Sequence, residues 1–553
     1  MLSHNKHINN YAQELGQVMS VMPTRWVEGP TLLHSSVPSN SRKSEEPGAA
    51  NRIPPEIAGQ ISGYLDVKDL ARAAMAWRPV ALASYASPET IKLECARYSL
   101  LTNGPQSTWS SGTVRAVRDR MEQYNFAWTT LQFSGSKSFN IPGTSPDTMW
   151  AGSKNWRSGS HFMGESNGYM YEVSTWKTSG VQAKLRLYQL PSLRTGGTDL
   201  KKVEFNVNLR TDSLKAVTVD PVAKVVALLE LSALHVYGFH GRYLGPVSLL
   251  ALFRPSAEIY HMELHGEMAC IVSHYPSSNS LIGIASDVLI QSWVGEQRSM
   301  RMDFFWGTHC MNYCTGFQFI TEDLWIATEK GRTHPCDTIP THFIRVGHVR
   351  LNKQIVVDLK DSLGNQYWTP NNISLIRNLS HYAPVSGPFS TDPARRLFGI
   401  KYEYRDFDGS LKANCALFGR ATVEAWLGLG GPPDHMHWLM MPFPSIKSMH
   451  VDLTNREGLY LVGRRLVWAT IWEHGWSLNV IDYNPGVGNA IPNTVELRGE
   501  TWKSWTGLWC SDPYPVALSS STRIANITRV VPTEDGILLK TNDLDANYTM
   551  LLM

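Results

Sequence analysis

The sequence predicts an α+β chain of more than one domain: a short helical segment near the N-terminus, followed by a large all-β domain that we expect to be a β-propeller. Three observations predict this. The chain has 553 residues, more than one core usually sustains. Apolar residues recur at helical spacing between residues 54 and 131. Beyond about residue 132, short runs of β-forming residues alternate with turn residues.

The composition is that of a folded protein whose charges are evenly mixed. Apolar residues make up 43% of the chain, charged residues make up 18%, and there are 19 Trp, enough for a large core. The net charge of +3 comes from 51 basic and 48 acidic residues spread along the chain. Because no run of Lys or Arg would attract phosphates or anionic lipid, we expect no nucleic-acid partner.

The sequence also predicts a compartment. The first 20 residues carry His, Asn and Gln instead of a basic stretch before an apolar core, and no 18 consecutive residues are apolar. We therefore expect neither secretion nor a membrane partner. Seven scattered cysteines fit reduced thiols better than a disulfide framework, which favours a cytoplasmic or nuclear location.

Four regions follow from these patterns. Residues 1–50 mix Ser, Pro, Asn and Gly without apolar periodicity and are predicted to be a disordered leader. Residues 51–98 contain three short predicted helices. Residues 99–132 are predicted to be a linker helix. Residues 133–553 are predicted to be an all-β, propeller-like domain that recognises a substrate.

Local signals place the helices. Pro54 suits a first helical turn, and Asp66 with Asp69 resembles a capping box. Ser87-Pro88-Glu89 supplies an N-cap, a proline and an acid at the start of the third helix. We expect the linker helix to lie on neighbouring helices or on the next domain. Its apolar face has spacings of three and four residues and consists of Val114, Val117, Met121, Tyr124, Trp128 and Leu131.

The predicted strands are short. Residues 321–323 and 406–410 separate pairs of runs that read as hairpins. Roughly 420 residues of this kind suit a propeller of about seven to nine blades, although no Trp-Asp or Gly-His signature recurs to define the count. The apolar ending 550–553 indicates that the last strand is tied into the structure. The predicted strands include 215–219, 225–229, 269–273, 288–293, 317–320, 324–327, 343–349, 397–404, 459–462 and 467–471.

One motif in residues 51–98 resembles that of a known family. Ile53-Pro54-Pro55-Glu56-Ile57, then Ile61, then Tyr64-Leu65-Asp66-Val67-Lys68-Asp69-Leu70 match the F-box pattern Leu-Pro-x-Glu followed by Tyr-Leu-x-x-x-Asp-Leu. The resemblance implies that the segment packs on a Skp-type adaptor and, through it, joins a cullin-based SCF ubiquitin ligase. The adaptor-binding residues that it implies are Ile53, Pro54, Ile57, Ile61, Leu65 and Leu70.

The small size of the helical segment is consistent with a segment that binds a partner protein. Three helices in fewer than 50 residues cannot cover their own apolar face, so a partner is expected to complete them. The alternative is that the helices cap the β domain. Where the family has Val-Cys-x-x-Trp after its second helix, this chain has Ala76-Trp77-Arg78-Pro79-Val80.

A looser resemblance extends downstream. The segments 127–131, 217–221 and 289–293 are similar to parts of the long F-box proteins abundant in mushroom-type fungi, over about half of the chain. The resemblance implies a non-catalytic substrate receptor whose β domain binds an unknown target protein. Ubiquitin transfer would then be accelerated by proximity.

Other chemistry is weighed against this hypothesis. Gly164-Glu165-Ser166-Asn167-Gly168 fits a nucleophile elbow, but a strand follows it, so we expect a hairpin turn. His435 and His437 are expected in an exposed loop. We predict no catalytic residue, no metal and no cofactor. Residue types that bind zinc occur only at weak spacings, in the set His309, Cys310, Cys314, His334 and Cys336.

The rival hypothesis is a propeller enzyme, a hydrolase or a lyase, with structural helices. Its 18 His permit a catalytic cluster at the mouth of the channel. Adjacent titratable groups with shifted pKa values would favour catalysis there, and a packed opening lined by aromatic rings would favour binding. Arg345 and Arg350 are too dispersed to predict an acidic-peptide site.

Overall fold

The structure is a computed structural model, and it describes most of the β domain. The described residues are 57, 91, 95, 98–102, 110–131, 133–141, 155–158, 161–175, 183–192, 194, 197, 199–209, 214–230, 233–248, 258–276, 284–294, 299–303, 305–306, 310–311, 313–331, 341–358, 372–382, 387–405, 411–428, 459–472, 475–482, 491–497, 502–506, 515–517, 527–541 and 548–553. Within these ranges the chain is mostly β-structure.

Among the described residues, three elements with defined bounds precede the first sheet of the ring. They are β1 (Leu100–Thr102), α1 (Ser111–Thr130) and β2 (Gly135–Phe139). The side chain of Ser110 caps α1 by accepting a hydrogen bond from the Thr113 amide at 3.2 Å. Leu131 ends the helix in the left-handed conformation, with φ 53°. The apolar spacing therefore predicts a helix that is present, but the predicted linker helix 99–132 begins too early. The observed helix begins at Ser111, and Leu100–Thr102 form β1, whose backbone pairs with Phe389–Thr391.

Four antiparallel sheets follow in chain order, and we call each one a blade. Blade 1 contains β3 (Asn155–Ser158), β4 (His161–Ser166), β5 (Tyr169–Thr175), β6 (Ala183–Gln189) and β7 (Lys201–Val207). Blade 2 contains β8 (Ala216–Asp220), β9 (Val225–Leu229), β10 (Ala233–Gly238) and β11 (Tyr243–Ser248). Blade 3 contains β12 (Glu258–His265), β13 (Met268–Pro276), β14 (Ile284–Ser292) and β15 (Ser299–Asp303). After the short hairpin of β16 (Phe305–Trp306) and β17 (Cys310–Met311), blade 4 contains β18 (Tyr313–Phe319), β19 (Leu324–Gly331), β20 (Thr341–His348) and β21 (Lys353–Asp358).

Three further blades complete the chain. Blade 5 contains β22 (Asn372–Asn378), β24 (Leu397–Arg405) and β25 (Leu411–Gly419). Two elements lie between β22 and β24 in the chain. They are β23 (Phe389–Thr391), which pairs with β1, and a 3-10 helix (Pro393–Arg395). The helix α2 (Arg420–Trp426) follows β25. Blade 6 contains β26 (Leu459–Val462), β27 (Arg465–Trp472), β28 (Gly475–Asp482), β29 (Ile491–Leu497), β30 (Trp502–Thr506) and β31 (Pro515–Ala517). Blade 7 contains β32 (Ile527–Thr533), β33 (Gly536–Thr541), β34 (Tyr548–Leu552) and the early strand β2.

The blades form a closed ring. In the part of the chain that the structure describes there are six sheets of four or more strands. The nine-stranded sheet consists of blades 5 and 6, which join where β22 and β26 pair in parallel at Arg377↔Tyr460 and Asn378↔Leu461. The inner strands β4, β8, β12, β18, β22, β26 and β32 contact one another in that order. The arrangement is that of a β-propeller.

Apolar side chains between the blades hold the ring together. Each pair of consecutive blades encloses a cluster of buried apolar residues, and Trp325 lies in the cluster between blades 3 and 4. The cluster between blades 7 and 1 closes the ring, where Met170 and Tyr188 pack against Val531 and Met550. The cluster between blades 6 and 7 is extended by α1 and by the earlier residues Ile91 and Cys95.

The predicted strands correspond to observed ones. The predicted runs 225–229 and 459–462 have the same bounds as β9 and β26. The predicted hairpins are confirmed by the antiparallel pairs β18–β19 and β24–β25. The apolar C-terminus is tied into the structure, because β34 lies between β33 and β2.

No helix among the described residues is long and apolar enough to cross a membrane. The predicted leader 1–50 and most of the predicted helical segment 51–98 lie outside the described residues.

We predict that Trp128→Ala lowers the free energy of unfolding by about 3–5 kcal/mol, because it leaves a cavity where α1 packs on the propeller. Trp128 is 0% exposed, and the Arg465 guanidinium lies 5.5 Å from the ring centroid. Denaturant unfolding of the purified chain measures the change. Phe126→Ala is the control, since Phe126 lies on the same helix but is 53% exposed. Equally small effects of both substitutions would contradict the packing of α1.

Candidate functional site

A small cavity lies at one face of the propeller, where the inner strands end. The parallel pairing of β22 with β26 shows that inner strands run in the same direction, so the turns that follow them collect on one side, which we call the inner-turn face. The cavity has a volume of about 30 Å³. It is lined by Ser166, Asn167, Thr218, Pro221, Met262, Glu263, Leu264, His265, Gln318, Arg377, Asn378, Ser380, His381, Tyr382 and Arg396.

Asp220, at the end of β8, ties three blades together beside this cavity. Its Oδ1 accepts hydrogen bonds from the Val222 and Ala223 amides at 2.9 and 3.0 Å, which shapes the turn after β8. Its Oδ2 accepts from the Gly266 amide at 3.1 Å and from the Tyr382 hydroxyl at 2.6 Å. Asp220 is fully buried, so its four donors replace the water that a carboxylate requires.

The turn after β12 is built for this contact. Gly266 has φ +60°, a backbone conformation that favours glycine. The Gly266 amide also donates to the Tyr382 hydroxyl oxygen at 2.6 Å. The His265 ring stacks on the Tyr382 ring with their centroids 3.7 Å apart. Blades 2, 3 and 5 therefore meet at one compact polar cluster.

Burial shifts the pKa values of this cluster. Burial raises the pKa of Asp220 and also that of Tyr382, which Asp220 raises further. Burial lowers the pKa of His265 well below its ordinary value, and nearby Arg396 lowers it further. His265 is therefore neutral at pH 7.

Arg396, at the end of the 3-10 helix before β24, is the buried cation of the cavity. It is 3% exposed, and its guanidinium carbon lies 5.5 Å from the centroid of the Phe398 ring. Burial lowers its pKa to about 10, which outweighs the opposing influence of Glu263 and Glu534. Its Nε and Nη1 atoms have no hydrogen-bond partner. Arg377, at the end of β22, is half-buried and lines the same cavity.

A second polar network lies between blades 5 and 7 and reaches blade 1. Arg194 forms a bidentate pair with Asp535, with N···O distances of 2.6 and 3.2 Å, and donates to the Phe389 carbonyl at 3.0 Å. Glu534 accepts from the His381 amide at 3.0 Å and from the Thr391 hydroxyl at 2.7 Å. These contacts fix the segment between β22 and β24.

The network also reaches α1. The Tyr124 hydroxyl donates to the Glu534 carbonyl at 2.8 Å, and the Arg465 guanidinium lies 5.6 Å from the centroid of the Tyr124 ring. Burial would raise the pKa of Glu534, but Arg194, His381 and the bonds from His381 and Thr391 hold it at about 2. Glu534 is thus ionised at neutral pH and joins α1 to the inner-turn face.

The shifted groups at the channel opening bear on the enzyme hypothesis. Asp220, Tyr382 and His265 are adjacent and have shifted pKa values. However, each shift comes chiefly from burial, and Asp220 accepts from four protein donors. A general base has to reach a substrate proton. The arrangement is therefore suited to fixing the turns and offers no accessible acid–base pair.

The residues that the F-box resemblance implies for the adaptor interface are mostly not described. Ile53, Pro54, Ile61, Leu65 and Leu70 lie outside the described residues. Ile57 is in helical conformation and is 44% exposed. The adaptor interface therefore stays a prediction.

The residues weighed for other chemistry are placed as follows. Asn167 and Gly168 form the turn between β4 and β5, with φ 52° and 79°, so the hairpin prediction for the G-x-S-x-G match is confirmed. Cys314 is buried and its thiol donates to the Gly316 carbonyl. His309, His334, Cys336, His435 and His437 lie outside the described residues, and Cys310 lies in β17. Among the described residues, no three His, Cys, Asp or Glu are grouped to hold a metal ion.

The cavity residues were not predicted from the sequence. Two local signals fall on or beside the cavity: Ser166 and Asn167 belong to the predicted hairpin turn, and the Asp-Pro pair at 220–221 favours a turn after a strand. Arg377 and Arg396 lie on either side of a long segment between two strands, and nothing in their spacing indicates a shared cavity. The dispersed cations Arg345 and Arg350 are both paired, with Glu329 and Asp323.

Comparisons with known proteins give structural likeness only. No family model matches the sequence, and no curated protein matches it. A eukaryotic initiation factor is similar at 12% identity and a TM-score of 0.31, covering 73% of this chain and 83% of that one. The WD40 domain of SCAP from fission yeast is similar at 9% identity and a TM-score of 0.27, covering 76% and 97%. The WD40 domain of Toxoplasma gondii coronin is similar at 8% identity and a TM-score of 0.31, covering 71% and 88%. Scores this low assign no function.

We predict that Glu534→Gln destabilises the chain in a pH-dependent way. The folded pKa of about 2 lies below the ordinary 4.5, so the ionised carboxylate contributes stability above pH 4.5 that is lost as the pH falls towards 2. The shift corresponds to roughly 3 kcal/mol. The difference in Tm between wild type and variant should be largest near neutral pH and should shrink on acidification, as measured by thermal unfolding across this range.

The matched control for that experiment is Glu424→Gln. Glu424 pairs with Arg420 at 2.7 Å one helical turn away on the partly exposed α2, a kind of pair that contributes little. Its Tm difference should stay near zero at every pH. A pH-independent loss of stability in Glu534→Gln would contradict the assignment of the depressed pKa to Glu534.

Proposed function

We propose that this chain is an F-box substrate receptor of an SCF-type ubiquitin ligase. Its N-terminal helices bind a Skp-type adaptor and through it a cullin, and its β-propeller binds a target protein. A β-propeller suits the second role, because a rigid ring of sheets presents loops on two faces for protein partners. The receptor acts in the cytoplasm or nucleus, in keeping with the buried, reduced thiols of Cys270 and Cys314.

The observation that carries this proposal is that residues following the F-box-like motif are buried against the propeller. Ile91 and Cys95 follow the F-box-like motif and belong to the same buried cluster as α1 and blades 6 and 7. The pairing of β1 with β23 adds a second attachment. A receptor has to hold its target at a defined distance from the ligase, and these attachments support such a role.

The position of Ile57 supports the adaptor-binding role. Its side chain is apolar, lies in helical conformation and is 44% exposed, which is the state expected of a residue that a partner covers. The structural alternative, helices that only cap the propeller, would bury this side chain against the blades.

We predict that Ile57→Asp and Leu65→Asp each abolish capture of a purified Skp-type adaptor. A charge buried in that interface costs several kcal/mol, which corresponds to at least about a hundredfold loss of affinity. A pulldown detects the loss, and isothermal titration calorimetry with the wild-type chain measures the affinity itself.

Val203→Asp is the control for this pulldown. Val203 is an exposed apolar residue on β7, far along the chain from the motif, so its substitution tests whether any new surface charge disturbs binding. It should bind as the wild type does. A wild-type chain that fails to bind the adaptor would remove the receptor proposal and leave the helices with a structural role.

A further inference from the structure

Arg396 stands out among the cavity residues because two of its donors are unused. It is 3% exposed, and its Nε and Nη1 atoms have no hydrogen-bond partner. Buried guanidinium groups in folded proteins normally pair with a carboxylate or with several oxygens. A buried full charge with unbonded N–H groups is unfavourable, and an anion in the cavity would relieve this.

The two carboxylates that act on Arg396 are those of Glu263 and Glu534, and both are committed to other donors. The Glu263 Oε1 atom accepts from the Phe319 amide at 3.2 Å, and its Oε2 atom lies 3.2 Å from the His261 Nε2 atom. The Glu534 carboxylate accepts from the His381 amide, the Thr391 amide and the Thr391 hydroxyl. Neither carboxylate supplies a hydrogen bond to the guanidinium of Arg396.

The charge of the cavity favours an anion. The titratable side chains of its lining are Glu263, Arg377, Arg396, Tyr382 and the two histidines. Burial lowers the pKa values of His265 and His381, so both rings are neutral at pH 7. Tyr382 is neutral as well. Two guanidinium charges therefore face one carboxylate, and the lining carries a net positive charge.

The size and donor set restrict the ligand. A cavity of about 30 Å³ admits a small anionic group and excludes a nucleoside or a sugar. Arg377 lies in β22 and Arg396 ends the 3-10 helix before β24, so two planar donor forks from different elements line the cavity. A tetrahedral group with several oxygens can accept from both forks, whereas a planar carboxylate matches one.

We propose that the inner-turn cavity binds a phosphate group through Arg396 and Arg377. The phosphate is either free in solution or carried on a phosphorylated segment of a partner protein. This site is separate from the adaptor-binding motif, so its existence does not depend on the proposed ligase role.

The test is a thermal-unfolding titration of the purified full chain with inorganic phosphate, at constant ionic strength set by sodium chloride. Binding to the folded chain raises Tm as the phosphate concentration rises. Arg396→Met should weaken the apparent phosphate affinity about ten- to hundredfold, the factor that a charge-assisted hydrogen bond supplies. In phosphate-free buffer this variant should melt at or above the wild-type temperature, because an unpaired buried charge is gone.

Two further variants keep the test decisive. Arg350→Met is the matched control, since Arg350 is exposed, pairs with Asp323 at 2.7 Å and lies outside the cavity lining. It should keep the wild-type response to phosphate. Arg377→Met should weaken the rise in Tm with phosphate without leaving a cavity in the core, because Arg377 is only half-buried. A wild-type chain that shows no rise in Tm beyond the chloride control, or an unchanged response in Arg396→Met, would overturn the proposal.

A second titration identifies the source of the phosphate. The probe is N-acetyl-phosphoserine methylamide, in which the phosphate is attached to a single peptide unit. If this probe raises the Tm of the wild-type chain but not that of Arg396→Met, the site binds a phosphorylated protein segment. A rise with inorganic phosphate alone assigns it to the free anion.

Discussion

The antiparallel pairing of β2 with β34 is the interaction on which the rest of the structure depends. It joins Gly135–Phe139, ahead of the first blade, to Tyr548–Leu552 at the C-terminus. An open ring would expose two sheet edges and an apolar blade face. The pairing gives blade 7 its fourth strand, and Met170 and Tyr188 of blade 1 then pack against this blade. Every contact across the inner-turn face requires the ring to be closed.

Closure also explains why charged groups are tolerated inside the ring. Burying a carboxylate costs several kcal/mol unless its lone pairs find donors. Asp220 and Glu534 find theirs in turns of other blades, and Arg194 finds Asp535. These groups fix the turns relative to one another, which an apolar contact would do less specifically. Arg396 is the exception, since its carboxylate neighbours are already engaged.

The N-terminal elements and the cavity meet at the same face of the propeller. Tyr124 of α1 donates to the Glu534 carbonyl, and the carboxylate of Glu534 accepts from the amide of His381, which lines the cavity. Glu534 therefore links α1 to the lining of the cavity. The opposite face, where the inner strands begin, carries a different surface, in which the His274 ring stacks on Tyr260.

The sequence by itself determined the local structure. Short apolar runs between turn residues predicted β9 and β26 with their observed bounds, and apolar spacing predicted α1, because secondary structure depends on residues close in the chain. The resemblance to the F-box is likewise a pattern of neighbouring residues, and it stays a prediction. Only the tertiary structure decided the cavity: Tyr382 and Asp220 are separated by 162 residues, and Arg194 and Asp535 by 341. The hydrogen-bond donors to a buried charge come from turns that only the closed ring brings together, and no local sequence pattern predicts which turns these are.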